Sequence, residues 1–315
     1  MGCEQRHVNS LDIRRSRDKH PFTPMSATLS EHPTHTVGVV GAGTMGNGIA
    51  QVCALAGLDV TLHDIGRAPL DRGLAAIRDS LARMINKQTI DAADRSAALA
   101  HLHTTTDLNA LADVDVVIEA VTENEALKLD LFTRLDSICK PNALLASNTS
   151  SISLTRLAAA TGRADQVIGL HFMNPVPMMT LVEIIRALQT SDATCAAMHA
   201  LSQRIGKTPI EARDSPGFVA NRILLPMLNE AIYALHEGLA RAEDIDEIMK
   251  LGMAHPIGPL ALADLIGLDT CLAVMTVLYD GFKDSKYRPC PLLQQMVDAG
   301  YLGRKTGRGF HRYDQ

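Results

Sequence analysis

Three absences narrow the reading of this chain before any motif is met. No apolar run reaches the roughly 18 residues that a membrane-spanning helix needs, so no membrane partner is expected. There is no excess of positive charge. Lysines and arginines number 30 against 35 aspartates and glutamates, a formal net charge of −5, which makes nucleic acid and anionic lipid poor partners. The six cysteines, Cys3, Cys53, Cys139, Cys195, Cys271 and Cys290, include no C-x-x-C pair, and none is read as standing beside a ligand-spaced histidine. That usage argues against a disulfide framework and a zinc site, so no metal is expected, and it fits reduced thiols and a cytoplasmic location. What is present is 315 residues, 46% of them hydrophobic, typical of two domains.

Residues 1–34 differ from the rest. Arg14, Arg15 and Arg17 stand among Asp12, Asp18 and three prolines, with no apolar core, so the segment is not a secretory signal. Glu4, Asp12, Asp18 and Glu31 argue weakly against a mitochondrial transit peptide. A disordered extension is expected, or translation that begins at Met25.

From His35 onward, strand-length apolar runs at Val37–Val40, Val60–Leu62, Val114–Ile118, Ala143–Ala146 and Val167–Leu170 alternate with segments of helical period such as Asn47–Leu55, Leu70–Ile85 and Leu127–Ile138. Such alternation predicts an α/β domain over residues 35–213: a doubly wound, mostly parallel sheet with helices on both faces. Near residue 214 the pattern changes. Asp214-Ser215-Pro216 offers a cap and an early-turn proline, and helices are predicted over Gly217–His236, with a kink at Pro226, then Ala242–Leu251 and about Ala261–Tyr279. Residues 214–315 therefore read as an all-helical C-terminal domain.

The first strand is followed by Gly41-Ala42-Gly43-Thr44-Met45-Gly46. This G-x-G-x-x-G lies between a strand and a helix, and Asp64 ends the second strand 21 residues beyond Gly43. The glycines suit a tight turn, close approach of a pyrophosphate and close helix packing, while the helix N-terminus faces the phosphates. A carboxylate at Asp64 accepts the adenosine ribose hydroxyls and repels a 2′-phosphate, so NAD is expected rather than NADP.

Three more segments are polar at the carboxyl ends of predicted strands. Ser147-Asn148-Thr149-Ser150-Ser151 fits a ligand site or a helix cap equally well. His171 ends a strand, where it suits a general base and also an ordinary structural histidine. Glu183 stands inside apolar Leu181-Val182-Glu183-Ile184-Ile185, where an unpaired carboxylate is costly. Two prolines between them suggest that the chain turns back and brings Glu183 to His171, where it fixes the tautomer. A glutamate paired with some arginine fits the pattern too. Asn221, early in the first helix of the second domain, could reach across an interdomain cleft.

These residues resemble the 3-hydroxyacyl-CoA dehydrogenase family, and within it the bacterial (S)-3-hydroxybutyryl-CoA dehydrogenases, over about residues 36–313. The resemblance rests on GAGTMGNGIAQ at 41–51, IEAVTEN at 118–124, SNTSS at 147–151, HFMNPVPMM at 171–179, DSPGFVANRIL at 214–224, HPIGPLALADLIGLDT at 255–270 and GYLGRKTGRGF at 300–310. The N-terminal extension is the main departure. The resemblance implies His171 as general base, Glu183 as its orienting carboxylate, Ser150 on the substrate oxygen near the nicotinamide, and Asn221 supporting the substrate. It implies cofactor contacts at Glu123, Lys128, Asn174 and Lys305, and CoA contacts at Ser80 and Lys87, for which a solvated helix surface is the plain alternative. It further implies NAD-dependent interconversion of 3-hydroxyacyl and 3-oxoacyl thioesters in fatty acid or butanoate metabolism, with an acyl-CoA partner and a homodimer paired through the helical domains. A 3-hydroxyadipyl-CoA enzyme, or a dehydrogenase of free hydroxy or sugar acids like the lambda-crystallin relatives, shares much of the pattern. A non-catalytic NAD-binding protein would be expected to lose part of the polar set.

Overall fold

The computed structural model describes residues 34–313, so the extension read from the sequence lies, but for Thr34, outside the described residues. The first domain runs β1 (Thr36–Val40), α1 (Thr44–Leu55), β2 (Asp59–His63), α2 (Arg67–Asn86), α3 (Ala92–Ala100), β3 (Leu102–Thr105), β4 (Val116–Glu119), α4 (Glu125–Ile138), β5 (Leu144–Ser147), α5 (Leu154–Ala159), β6 (Val167–Phe172), β7 (Leu181–Arg186), α6 (Asp192–Arg204) and β8 (Thr208–Arg213). The strands form one sheet in the order β3-β2-β1-β4-β5-β6-β7-β8. All neighbours pair in parallel except β6 with β7. This is the doubly wound Rossmann arrangement. The crevice for a ligand lies outside the carboxyl ends of the strands, where the order reverses between β1 and β4.

The central strands are buried on both faces, which is why they read as continuous apolar runs. One core packs under α1, α2 and α6, and the other under α4 and α5. The two strands the pattern did not reveal, β3 and β8, lie at the sheet's edges and are mostly half-buried or exposed. An edge strand needs apolar residues on only part of its length, and β8 tolerates Pro209 for the same reason.

The second domain holds α7 (Ala220–His236), α8 (Ala242–Met253), α9 (Pro259–Ile266), α10 (Leu268–Phe282) and α11 (Pro291–Asp298) around its own core. Two expectations are corrected. The first helix does not begin at Gly217, because residues 216–219 form a turn in which Gly217 and Phe218 both take positive φ, 72° and 49°. Asp214 does not cap that helix. Its carboxylate accepts from Ser153 Oγ (2.7 Å) and the Thr155 amide (2.8 Å), so it holds the start of α5. Pro226 stands inside α7 without ending it.

The single helix read over Ala261–Tyr279 is two, α9 and α10, bent by 97°. Gly267 makes the break. Its φ of 102° is open to glycine, its amide closes α9 on the Ala263 carbonyl, and its own carbonyl starts α10. The apolar pattern runs through it unbroken, so periodicity alone could not find it. No single helix among the described residues is long and apolar enough to cross a membrane. Replacing Gly267 with alanine should cost about 1–3 kcal/mol of stability from the positive φ. That loss should appear as a lower urea midpoint with unchanged slope, and an unaltered midpoint would show that the bend tolerates a Cβ.

Candidate active site

The glycine turn is shaped for something that approaches the backbone. A Cβ on Gly46 would lie 1.7 Å from the Gly41 carbonyl oxygen, so α1 reaches the turn only because residue 46 has no side chain. A Cβ on Gly43 would meet nothing within 4 Å, so that side of the turn is open. Gly43 is the N-cap of α1 and supplies no side-chain cap, which leaves the helix's first amides available to an anion. Asp64 closes the site from the end of β2. Its carboxylate accepts from the Ala42 amide and the Ile65 amide, both at 2.8 Å. One carboxylate thus fixes the turn. With open space at Gly43, uncapped amides at α1 and a carboxylate 21 residues on, the residues present fit a dinucleotide.

His171 and Glu183 stand directly opposite each other in the antiparallel β6–β7 pair. His171 Nδ1 lies 2.7 Å from Glu183 Oε2, and both side chains are buried. The other oxygen, Glu183 Oε1, accepts from the amides of Val219 (3.2 Å) and Ala220 (3.0 Å) at the start of α7. A carboxylate at a helix N-terminus meets free amide donors and the positive end of the helix dipole. Burial alone would raise the Glu183 carboxyl. The His171 hydrogen bond, the Ala220 amide, the His171 charge and the Val219 amide outweigh it, and the group lies below the usual glutamate value. Phe218 completes the unit: the left-handed turn sets its ring edge-on to His171, with centroids 5.5 Å apart. His171 Nε2 makes no hydrogen bond to any described residue.

A second network, buried at Glu119 and Lys128 and open to solvent at Glu123, supports the loops after β4 and β5. Lys128 Nζ donates to Glu119 Oε1 at 2.6 Å and lies 3.2 Å from Glu123 Oε2. Glu119 also accepts from Ser147 Oγ and the Val121 amide, tying β5 and the loop after β4 to itself. Glu123 Oε1 accepts from Ser150 N (3.0 Å), Ser151 N (3.1 Å), Ser151 Oγ (2.8 Å) and Thr149 Oγ1. Burial pushes the Glu123 carboxyl up, but Lys128 and these donors bring it below the ordinary range. The serine-rich segment is therefore gripped by Glu123, and Ser150 is held at the sheet's carboxyl edge. The helix cap that this segment could also have supplied falls to Ser153, which caps α5.

The resemblance gave Lys128 a cofactor contact. In the structure it is buried to 1% exposure, with its ammonium between Glu119 and Glu123. Lys305 is exposed and is bound by both oxygens of Asp269 at the start of α10, at 2.5 and 2.7 Å. Asn221 lies on the first turn of α7, next to the amide that Glu183 holds. Asn174 is exposed on the β6–β7 loop. Ser80 is half-buried on α2, and Lys87 is exposed at its C-cap.

The sequence reading passed over three residues. Glu119 was hidden as the last residue of an apolar strand, Phe218 in a turn that looked helical, and Lys207 between α6 and β8. Lys207 Nζ donates to the carbonyls of Val176 (2.6 Å) and Met179 (2.8 Å), clamping the loop that carries Asn174. Burial lowers its pKa.

Models of 3-hydroxyacyl-CoA dehydrogenase match almost all of the described chain: the NAD binding domain at residues 36–215 and the C-terminal domain at residues 217–313. A probable 3-hydroxybutyryl-CoA dehydrogenase of Deinococcus radiodurans is 56% identical over 276 residues, 88% of this chain and 99% of that one. A 3-hydroxybutyryl-CoA dehydrogenase of Bradyrhizobium diazoefficiens is 54% identical over 277 residues, 88% of this chain and 94% of its own. The crystal structure of (S)-3-hydroxybutyryl-CoA dehydrogenase from Ralstonia eutropha superposes with a TM-score of 0.87 at 58% identity. It covers 90% of this chain and 100% of that one.

The lowered Glu183 carboxyl makes a prediction about pH. A carboxyl whose folded pKa lies below its unfolded value adds stability that is present above the unfolded value and lost as pH falls through the folded one. Glu183→Gln should therefore cost about 1–3 kcal/mol near neutrality, and the gap to the parent protein should close on acidification below the ordinary glutamate range. Denaturant melts across that range measure it, and a gap that does not change with pH would contradict the assignment.

Proposed function

This chain belongs to the 3-hydroxyacyl-CoA dehydrogenase family and is an NAD-dependent oxidoreductase acting on acyl-CoA, and we propose that it interconverts (S)-3-hydroxybutanoyl-CoA and acetoacetyl-CoA in fatty acid or butanoate metabolism. The observation that carries the proposal is the buried His171–Glu183 pair. It leaves Nε2 as the imidazole nitrogen able to exchange a proton with a ligand. The names of relatives at 54–56% identity over nearly their whole length support the short-chain substrate.

Bound across the α1 turn and Asp64, NAD supplies the acceptor for the hydride of C3. The protein's own residues do the rest. His171 removes the hydroxyl proton through Nε2, because Glu183 holds Nδ1 protonated and stabilises the imidazolium that forms. Ser150, positioned by Glu123, and Asn221, positioned by the start of α7, hold the oxygen while its charge develops. In reduction His171 returns the proton to the ketone oxygen. Gly41, Ala42, Gly43, Thr44, Met45, Gly46 and Asp64 hold the dinucleotide, with Asn174, Glu123 and Lys305 as further contacts. Ser80 and Lys87 receive the CoA moiety from α2. The enzyme works in the cytoplasm as a homodimer. Exposed Leu239, Ile248, Leu251 and Met253 on the helical domain supply an apolar surface for that pairing.

NADH oxidation followed with purified protein tests the proposal. Rapid turnover is expected with acetoacetyl-CoA and NADH, little with NADPH, and little with the free 3-keto acid. His171→Ala should lower kcat by about 10²–10⁴-fold with NADH binding retained. Turnover of the free acid alone would move the chain to the hydroxy-acid relatives, preference for a longer dicarboxylic thioester would move it to the 3-hydroxyadipyl-CoA reading, and near-normal turnover of His171→Ala would remove the base.

A further inference from the structure

The sequence reading set no cysteine beside a ligand-spaced histidine, yet Cys195 and His199 stand at that spacing, and the fold brings them a third donor. Cys195 and His199 are four residues apart on α6 and share a face of it. β8 lays Glu211 against that face. Glu211 Oε2 lies 3.4 Å from Cys195 Sγ and 4.0 Å from His199 Nε2, and the three donor atoms all fall within 4.8 Å of one another.

We propose that Cys195, His199 and Glu211 form a binding site for a divalent transition metal, zinc by its donor set, which staples the edge strand β8 to α6. Sulfur, imidazole nitrogen and carboxylate oxygen are the donors zinc takes, at bonds of about 2.0–2.3 Å. In a tetrahedron those bonds separate the donors by roughly 3.3–3.6 Å, so the present spacing needs only a small closing movement. The carboxylate is already oriented for the task. Arg186 Nη1 holds the other oxygen, Glu211 Oε1, at 3.5 Å, which turns Oε2 toward the cysteine and histidine. Arg186 is itself paired with Asp192, so its charge is balanced locally.

Charge balances on binding as well. The thiol gives its proton to solvent, and the thiolate and the Glu211 carboxylate together offset the two positive charges of the ion. Cys195 is buried while His199 and Glu211 are half-buried, so the site is reachable from solvent, which supplies the fourth ligand as water. The site is separate from the chemistry proposed above. In the β7–β8 register Glu211 pairs with Ile184 and Ile210 with Glu183, so alternation places Glu211 on the opposite face of the sheet from the catalytic carboxylate.

Cobalt(II) titration of tag-free, chelator-stripped protein tests this. One equivalent should bind and develop the visible bands of four-coordinate cobalt with a thiolate-to-cobalt charge-transfer band in the near ultraviolet, all abolished by added zinc. Cys195→Ser should lose the charge-transfer band, and His199→Ala, at a half-exposed position, should weaken binding by about tenfold or more. Zinc should raise the melting temperature of the parent protein and of neither variant, while NADH oxidation by both variants stays near the parental rate. Absence of the charge-transfer band at one equivalent, or equal cobalt affinity in the parent and His199→Ala, would overturn the proposal.

Discussion

The structure turns on one buried carboxylate. Glu183 sits in the interior of a strand, where an unpaired charge would cost several kcal/mol. Its two oxygens divide the compensation between two domains: Oε2 takes His171 Nδ1, and Oε1 takes the Val219 and Ala220 amides. The same group that aligns the proposed base also fixes where the helical domain begins. The left-handed turn at Gly217 and Phe218 is the backbone's part of the arrangement. It aims two amides at Glu183 and a ring at His171, and that geometry accounts for a non-glycine residue at positive φ. Asn221 follows one residue later, so the position of a second-domain polar group is set by a first-domain carboxylate.

A similar economy holds nearer the sheet's switch point, around β4. Lys128 is buried against Glu119 and pairs with Glu123 at the surface, and each carboxylate carries a different segment. Glu119 grips β5 through Ser147, and Glu123 grips the serine segment that ends in Ser150. Lys207 does the same for the β6–β7 loop through two carbonyls. Buried Glu119, Lys128 and Lys207, with the exposed Glu123, thus hold the loops at the carboxyl edge of the sheet.

Much of this was legible from sequence because the physics there is local. The glycine turn needs residues without side chains, and the 1.7 Å approach at Gly46 shows why. The His171–Glu183 pair could be anticipated because a glutamate in an apolar strand demands a partner and two prolines turn the chain back. What was not legible depends on contacts distant in sequence. The sequence gives no sign that Lys128 is buried, because its partner Glu119 reaches it only through the fold. Phe218 reads as helical because its left-handed backbone is imposed by what it packs on. β3 and β8 are edges with half-polar surfaces. The break at Gly267 lies inside an apolar stretch whose period continues on both sides. Cys195, His199 and Glu211 meet only once β8 has joined the sheet.

The central claim is that Glu183 contributes to turnover through His171. A double-mutant cycle in kcat/KM, from the parent through His171→Ala and Glu183→Gln to the double variant, measures that coupling directly. Glu183→Gln alone should lose about 10²–10⁴-fold, and the double variant should be no slower than His171→Ala alone. If the two losses multiply instead, Glu183 acts on catalysis by a route that does not pass through the histidine, and the buried pair is not the catalytic unit of this site.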